Sequence, residues 1–546
     1  MIDRDIHRAR ALVVESNANL RALAAAQLRE AGVGQVQESA RTCDARLLLE
    51  HEPFDIVVCN REFEEAGESG QDLLDELRRE HLLSPATVFL MTTSRPLYHE
   101  VVEAAESTLD GLLVRPYSTA LLAERLAEAR RRKRELGRVL RALHAGQTEL
   151  ALIHAVKRFQ ERRPYWNWCG RLAAELMLTL QRPGDAEHLF LKLGQASPAA
   201  AWARLGQARS RLAQGDATAA RDHVAAVLAA DPESADAHDL MGRILIDQCD
   251  FEGALAEYGS AADLTPGCLL RSQHAGALAF YLDQREDALR WLERTLELGV
   301  QSKLFDALSL LLIAMMRFDL GDADGVGSMA HQMDRYRQRF PESRRLGRLD
   351  RCVATLAALL AGNSEHALAE LRALATQAMD DDFDLEAASM TLAAWARMPA
   401  RARPPAEFEA LVERMALRFC TSRAVAEALI AAGRREEAIA AVVRRCQHHV
   451  SSIAEQALDA SLRGDPGAAA HQLLEIGETT LNARLLEMSG VLARRHESRI
   501  GEAQALAERS AATLRRSCKA PNHIAGIQRS GRSPGGLQLR GRRSAP

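Results

Sequence analysis

The sequence has few aromatic residues, no long apolar run and no marked excess of either charge. Aromatic residues make up only 4% of the chain, whereas hydrophobic residues as a whole make up 47%, and the prominence of Ala and Leu favours helices over strands. No stretch approaches the roughly 20 apolar residues that a membrane-spanning helix requires, so we expect no membrane partner. The formal net charge is −4, which does not favour nucleic acid or an anionic membrane as a partner.

The cysteines and the N-terminus exclude further classes of protein. The nine cysteines are scattered and form no CxxC pair, so the sequence predicts no disulfide framework. Reduced thiols of this kind are typical of a cytoplasmic protein, and we expect that location. The stretch MIDRDIHRARALVV carries charges up to Arg10 and then only a short apolar run, unlike a signal peptide.

Motifs for catalysis are also missing. The sequence contains no zincin motif, no phosphate-binding glycine loop and no nucleophile elbow. We therefore expect no catalytic residue, no cofactor and no dedicated metal centre, and we expect that the protein is not an enzyme.

The first 130 residues alternate between short apolar runs and helical patterns, which predicts a doubly wound parallel α/β sheet. With 546 residues the chain is too long for one hydrophobic core, so we expect two or more domains. The predicted strands are residues 11–15, 33–39, 54–60, 86–92 and 111–115. The predicted helices are residues 17–32, 43–52, 70–82, 97–108 and a long helix after Ser118.

Polar residues stand where these strands end. Doubly wound sheets place their sites at the carboxyl ends of the strands, so the candidate residues are those that close each apolar run. They are Glu15 and Ser16, Asn60, Thr92 with Thr93, and Arg115 before Pro116.

Four motifs, VVES, FDIVVCN, FLMTTS and VRPY, resemble those of the receiver domain of bacterial response regulators over residues 8–130. The resemblance implies a flavodoxin-like five-stranded parallel sheet in the order 2-1-3-4-5. In that family the motifs carry, in turn, two acids for Mg²⁺, a phosphoacceptor aspartate, a serine or threonine, and a lysine before proline. Carried over, the acids map to Glu15 and Ser16, the acceptor to Asn60, the hydroxyl to Thr92 and the lysine to Arg115.

Three of these positions depart from the family pattern. Asn60 has no anionic oxygen that could attack phosphorus, so it cannot form an acyl phosphate. Ser16 removes a carboxylate that a hard cation requires, which leaves at most a weak Mg²⁺ site at Glu15. Arg115 keeps the charge of the lysine but changes its geometry. The resemblance therefore implies a degenerate receiver that keeps the fold without phosphotransfer.

Each residue also has a structural alternative. An asparagine at a strand end usually hydrogen-bonds a neighbouring loop, and we weigh that role for Asn60. Thr92 is equally a strand former, and Arg115 before a proline is equally a solvated charge. The loop REFEEAGESG after Asn60 lacks the Met-Pro turn of the family, which adds to the departures.

A basic segment separates this domain from a repetitive one. Residues 131–164 are interpreted as a basic helical connector, and the run Arg130–Arg134 as a solvated face rather than a nucleic-acid site. Residues 165–495 are interpreted as helical repeats, with an exact 34-residue period over four units and an irregular spacing farther along the chain. Small residues recur at Ala174, Ala208, Gly242 and Gly276 and again at Ala186, Ala220, Ala254 and Ala288, and bulky residues recur at Phe190, Val224, Tyr258 and Leu292.

This period resembles the tetratricopeptide repeat. Two antiparallel helices need small residues where they cross, a bulky residue between them and a breaker at the end. The resemblance implies an all-α superhelix of about seven or eight helix pairs, with the best copies in residues 167–300. We expect a capping helix within residues 496–516 and a disordered tail, rich in Gly, Pro, Arg and Ser, over residues 517–546.

Stacked repeats of this kind form a concave groove lined by the first helix of each pair. Its mixed charge and two tryptophans suit a peptide or a helix of a partner protein. The alternative is that Trp168 and Trp202 pack between neighbouring helices. The predicted groove residues are Trp168, Arg171, Trp202, Arg209, Asp236, Asp239, Arg243 and Gln273.

The combined hypothesis is a non-catalytic adaptor of bacterial two-component signalling that binds protein partners. One alternative is a genuine response regulator that is phosphorylated elsewhere, at Glu15, at Asp55 or at a deamidated Asn60. A second is a nucleic-acid-binding regulator that uses the basic connector and the arginine-rich tail. The receiver is also a candidate for homodimerisation.

Overall fold

The computed structural model describes residues 5–63, 70–79, 82–84, 86–94, 110–196, 201–299, 305–518 and 524. The helix predicted over residues 97–108 lies outside the described residues. So does the tail predicted over residues 517–546, apart from Ser517, Cys518 and Ile524. Within the described ranges, no helix is both long enough and apolar enough to cross a membrane.

The N-terminal domain is built on one five-stranded parallel sheet. Its strands are β1 (Arg10–Val14), β2 (Gln35–Ser39), β3 (Ile56–Asn60), β4 (Val88–Thr93) and β5 (Gly111–Val114). They pair in the order β2-β1-β3-β4-β5, and every pair is parallel. This topology confirms the predicted doubly wound fold and its strand order.

Helices cover both faces of the sheet. They are α1 (Ala18–Glu30), α2 (Thr42–His51), α3 (Gly70–Arg79) and α4 (Thr119–Glu135), with a short 3-10 helix at Ile6–Arg8 before β1. One face packs against α1 and α4, and the opposite face packs against α2 and α3. Because both faces are covered, β3 and β4 are buried along their whole length, which explains their unbroken apolar sequence.

The basic run at the end of α4 is anchored to the sheet. The Asp110 carboxylate, only 5% exposed, accepts from Arg132 Nη2 at 2.5 Å and lies 3.2 Å from Lys133 Nζ. It also accepts from the backbone amide of Phe89 at 3.0 Å. These contacts correct the interpretation of Arg130–Arg134 as a solvated face, because an almost fully buried carboxylate neutralises part of the run.

The described residues divide into two compact units. The first runs to Ser272 and includes residues 294–299 and Phe305, and the second includes residues 273–293 and the described residues from Asp306 onward. The first unit holds α5 (Gly137–His144), α6 (Thr148–Gln160), α7 (Trp166–Thr179), α8 (Pro183–Ala196), α9 (Ala201–Ala213), α10 (Ala217–Ala230), α11 (Ala235–Asp247) and α12 (Phe251–Leu264).

The remaining helices follow in the same chain order. Helices α13 (Leu269–Tyr281) and α14 (Arg285–Gly299) contain residues of both units. The second unit continues with α15 (Leu308–Asp319), α16 (Ala323–Arg339), α17 (Arg344–Leu360), α18 (Ser364–Thr376), α19 (Leu385–Ala396), a 3-10 helix at Ala400–Ala402, α20 (Pro405–Phe419), α21 (Arg423–Ala432), α22 (Glu437–Leu462), α23 (Pro466–Thr480), α24 (Ala483–Arg495) and α25 (Ala503–Ser517).

Two features of this region refine the expected organisation. Helices α5 and α6, which fall in the segment interpreted as a helical connector, share one hydrophobic core with α7 and α8. Helix α22 has 26 residues, compared with 13 or 14 in each of α7 to α12. This longer helix agrees with the irregular spacing that the sequence shows after its first four repeats.

The small and bulky residues of the period meet in space. A Cβ atom built on Gly242 would lie 2.9 Å from the Tyr258 ring, and one on Gly276 would lie 2.7 Å from Leu292. Each pair joins the first helix of a repeat to the second helix of the same repeat. A glycine is required at these positions because the bulky side chain occupies the space of a methyl group.

Replacing Gly242 by alanine should destabilise the first unit. Overpacking of this kind costs about 1–3 kcal/mol. That cost exceeds the roughly 0.5–1 kcal/mol that alanine gains over glycine inside a helix. Urea titration followed by circular dichroism should therefore show a lower unfolding midpoint for Gly242→Ala than for the wild type.

Gly184→Ala is the matched control, because a Cβ atom on Gly184 meets no atom within 4 Å. Its unfolding midpoint should equal or exceed that of the wild type. An unchanged midpoint for Gly242→Ala would contradict the close packing of this residue against Tyr258.

Candidate functional site at the carboxyl edge of the sheet

Three side chains meet at the carboxyl edge of the sheet, each delivered by the end of a central or edge strand. Glu15 follows β1, Asn60 ends β3 and Arg115 follows β5. Glu15 and Asn60 are each 5% exposed. The sheet order places β1 and β3 side by side, and the turn after β5 brings Arg115 to both of them.

The Asn60 amide is fully engaged by its neighbours. Its Nδ2 donates to Glu15 Oε1 at 3.2 Å and to the backbone carbonyl of Glu62. Its Oδ1 accepts from Arg115 Nη2 at 2.5 Å and from the backbone amide of Glu62 at 3.4 Å. The structural alternative for Asn60, a hydrogen bond to a neighbouring loop, is therefore present together with contacts to two other site residues.

Arg115 is a paired, mostly buried cation. Its Nη1 lies 2.9 Å from Glu15 Oε2, and the two side chains are 15% and 6% exposed. A second nitrogen, Nη2, reaches Asn60, so the planar guanidinium bridges two strands in a way that a lysine ammonium cannot copy. This geometry contradicts the alternative that Arg115 is a solvated charge.

Ser16 stays at the rim of the site. It is half-buried, and its backbone carbonyl accepts from Arg21 Nη1 at 3.0 Å. The following residue, Asn17, caps α1 by accepting from the amides of Asn19 and Leu20. The loop after β1 is thus held by α1, and the residue that follows Glu15 is a serine and not a second acid.

Thr93, and not Thr92, donates its hydroxyl to Glu62, an acid two residues after Asn60. Thr93 Oγ1 donates to Glu62 Oε1 at 2.5 Å. Thr92 is buried and, together with Glu15, Asn60 and Arg115, lines a cavity of about 760 Å³. Neighbouring strand residues point to opposite faces, so an error of one residue moves the hydroxyl away from its partner. The motif FLMTTS contains both threonines, and its letters alone do not separate them.

Glu62 is the site residue that the sequence analysis missed. Its Oε2 accepts from the backbone amide of Ser94 at 3.3 Å and from Ser94 Oγ at 3.0 Å. The same oxygen lies 3.6 Å from Arg115 Nη2. An acid two residues after Asn60 in a loop without the family turn was the signal that could have found it.

The environment of Glu62 favours its charged form. Burial opposes the charge, but hydrogen bonds from Thr93 and Ser94 and the charge of Arg115 outweigh it and hold the pKa of Glu62 below its usual value. Glu62 therefore faces the Arg115 guanidinium as a carboxylate.

A Mg²⁺ ion does not fit this arrangement. Magnesium requires oxygen ligands in near-octahedral geometry, but Glu15 Oε1 already accepts from Asn17 and Asn60, and Oε2 is paired with Arg115. Asn60 directs its N–H groups toward Glu15 Oε1 and toward the backbone carbonyl of Glu62. In the part of the chain that the structure describes, no group of three or more His, Cys, Asp or Glu residues could hold a metal ion.

Several residues that were predicted to line a partner groove form ion pairs within the protein instead. Arg209 is buried and donates to both oxygens of Glu175, at 2.7 and 2.5 Å. Asp236 is buried as well, and Arg271 lies 3.0 Å from Asp236 and 2.7 Å from Asp239. This burial corrects the expectation that Arg209 and Asp236 present accessible charges to a partner.

The other predicted groove residues are placed differently. Trp168 and Trp202 pack against the core of the first unit, and the Arg171 guanidinium lies 4.9 Å from the centroid of the Trp202 ring. The two tryptophans therefore follow the packing alternative. Arg243 is half-buried in the first unit, and Gln273 is buried in the second, so Gln273 is also inaccessible. A partner-binding role for this set stays a prediction.

The chain resembles known proteins mainly over its N-terminal domain. No family model matches the chain. The chemotaxis protein CheY-3 of Vibrio cholerae serotype O1 is 30% identical over 115 residues, which span 21% of this chain and 86% of that protein.

Solved structures resemble the chain at lower identity. The chemotaxis response regulator CheY4 of Vibrio cholerae is 21% identical, with a TM-score of 0.20 over 22% of this chain and 98% of that one. A receiver domain protein from Clostridium thermocellum is 19% identical, with a TM-score of 0.21 over 23% and 98%. MamA is 18% identical, with a TM-score of 0.25 over 29% and 92%.

The sheet order, the four motifs and the curated relative define the N-terminal domain as a response-regulator receiver domain. Through this domain the chain belongs to the CheY-like response-regulator family.

Replacing Arg115 by methionine should destabilise the receiver strongly. The change keeps an unbranched side chain but leaves the buried Glu15 carboxylate without its cation. Removal of one partner of a buried ion pair costs about 3–5 kcal/mol. Urea unfolding at pH 7 should show this loss as a lower midpoint.

Arg29→Met is the matched control. Arg29 is 54% exposed and lies 3.5 Å from Glu38, and such surface pairs contribute about 0–1 kcal/mol. If the two variants lose the same stability, the Arg115 pair does not hold the site together.

Proposed function

We propose that the protein is a non-catalytic signalling adaptor of a bacterial two-component or phosphorelay-type system. A receiver domain that works without phosphorylation is joined to a tetratricopeptide scaffold that binds protein partners. The observation that carries this proposal is the Asn60 amide, which is hydrogen-bonded between Glu15 and Arg115 at the acceptor position.

The chemistry of the acceptor supports a receiver without phosphotransfer. Formation of an acyl phosphate requires a carboxylate oxygen that attacks phosphorus, and an uncharged amide supplies none. The neighbouring Glu15 carboxylate is paired with Arg115 and also accepts from Asn60. No free carboxylate oxygen of Glu15 is left to take over the role of the acceptor.

The alternative acceptor Asp55 is placed away from this edge. It immediately precedes β3, whose other end carries Asn60. Its Oδ2 accepts from the backbone amide of Arg10 at 2.9 Å. An acid at the amino end of the strand does not meet the hydroxyl and guanidinium groups at the carboxyl end.

The packing of the helical region supports the tetratricopeptide part of the proposal. Gly242 lies under Tyr258 and Gly276 under Leu292, and these pairs recur at the 34-residue step of the sequence. Helix pairs of this kind commonly bind peptides or helices of other proteins. A protein partner therefore fits this region better than a substrate.

The pathway is proposed by analogy, and the location from the cysteines. The CheY-3 relative is a chemotaxis protein, and we extend a two-component role to this chain by analogy. The nine cysteines are scattered and form no CxxC pair, which supports a cytoplasmic location.

Incubation with acetyl phosphate and Mg²⁺ should leave the mass of the full chain unchanged. The measurement is intact mass under denaturing conditions, where an acyl phosphate adds one phosphoryl group. A receiver protein with an intact acceptor aspartate serves as the positive control. A stoichiometric phosphoryl adduct on this chain would refute the proposed function and favour a genuine response regulator.

Asn60→Asp alone should not restore robust phosphorylation. The substitution supplies an acceptor. However, Ser16 still leaves the metal site without a second acid next to Glu15, and Glu15 is still paired with Arg115. Intact mass after acetyl phosphate treatment, with and without Mg²⁺, measures the yield. The double variant Asn60→Asp with Ser16→Asp should give more adduct than Asn60→Asp, and efficient labelling of the single variant would show that the metal site is sufficient as it stands.

A further inference from the structure

Four donor groups converge on the Glu62 carboxylate. Thr93 Oγ1 donates to one oxygen at 2.5 Å, and the amide and hydroxyl of Ser94 donate to the other at 3.3 and 3.0 Å. Arg115 Nη2 lies 3.6 Å from that second oxygen. Hydroxyls, a backbone amide and a guanidinium are the groups that proteins use to bind oxyanions.

Hydrogen bonds between the Asn60 side chain and the backbone of Glu62 hold the Glu62 carboxylate near these donors. Asn60 Nδ2 donates to the Glu62 carbonyl, and the Glu62 amide donates back to Asn60 Oδ1 at 3.4 Å. The loop is thus fastened to the acceptor position by its own asparagine. A carboxylate would repel the Glu62 carbonyl at this position, so the amide of Asn60 and the placement of Glu62 depend on each other.

We propose that Glu62 is an internal ligand of an oxyanion site formed by Thr93, Ser94 and Arg115. The site would take a small inorganic oxyanion, such as phosphate or sulfate, if Glu62 were removed. In the intact chain the carboxylate occupies it permanently. The proposal rests on the proposed function to the extent that Asn60 carries no phosphoryl group.

The physical reason is competition between a tethered and a free anion. A side chain fastened two residues from Asn60 has an effective concentration in the millimolar range or above at the site. A free oxyanion must displace it and also approach the carboxylate of Glu15. Dissolved phosphate therefore does not enter the intact site. The receiver holds the Glu62 carboxylate as a fixed anion where a free oxyanion would otherwise bind.

The test is phosphate binding by the full chain without Mg²⁺. Glu62→Ala should bind inorganic phosphate saturably in isothermal titration calorimetry, at constant ionic strength set with sodium chloride. Its affinity should exceed that of the wild type at least about tenfold, the change expected of one charge-assisted contact. Glu62→Ser is measured in parallel and serves as the test if the alanine variant does not fold.

Two further variants separate the site from general electrostatics. Glu38→Ala also removes one partly exposed carboxylate of the same domain that is paired with arginine, and it should bind phosphate no better than the wild type. Adding Thr93→Val to Glu62→Ala should abolish the gained binding. Folded Glu62 variants without saturable phosphate binding, or a wild type that binds equally well, would overturn the proposal.

This outcome is distinguishable from failure of the proposed function. Phosphate binding is reversible and leaves no adduct under denaturing conditions, whereas phosphotransfer leaves a covalent phosphoryl group. A mass adduct on the wild type overturns the adaptor proposal, and absence of reversible binding to the Glu62 variants overturns only the internal-ligand proposal.

Discussion

The fork of Arg115 between Glu15 and Asn60 is the interaction on which the rest of the site depends. The two nitrogens of one rigid guanidinium reach a carboxylate and an amide oxygen from neighbouring strands. Two carboxylates and one guanidinium remain close together because Glu62 is held by Thr93 and Ser94 as well. Because the residue at position 60 is uncharged, the Arg115 guanidinium has two acids to pair with instead of three.

The sheet tolerates such a change because its stability lies elsewhere. Burial of β1, β3 and β4 between two helical layers supplies the apolar contacts, and the register that pairs Asn60 with Thr92 is set by the strands. The side chains at the strand ends contribute few of these contacts. The strand pairing and the burial of the sheet therefore do not require an acid at position 60.

The fold was predictable to a large extent, whereas the site was predictable only in part. The alternation of strands and helices follows from apolar periodicity, which reports local burial, whereas the strand order was implied by the resemblance to receiver domains. The contact between Glu62 and Thr93 depends on the path of the loop after Asn60. The order of residues in the sequence does not show that path. The burial of Arg209 was accessible in principle, because Glu175 stands one 34-residue period before it and stacked repeats bring such positions together.

The receiver is joined to the helical region by packing as well as by chain connectivity. Arg132 and Lys133 of α4 bind Asp110, and Glu135 of α4 lies 2.6 Å from Arg158 of α6. The following residue, Leu136, belongs to the core that α5 and α6 share with α7 and α8. Helix α4 begins only four residues after Arg115. One end of α4 therefore adjoins the loop that carries the guanidinium, and its other end adjoins the first helix pair. The receiver is therefore connected to the first helix pair by a packed helix and not by a flexible linker.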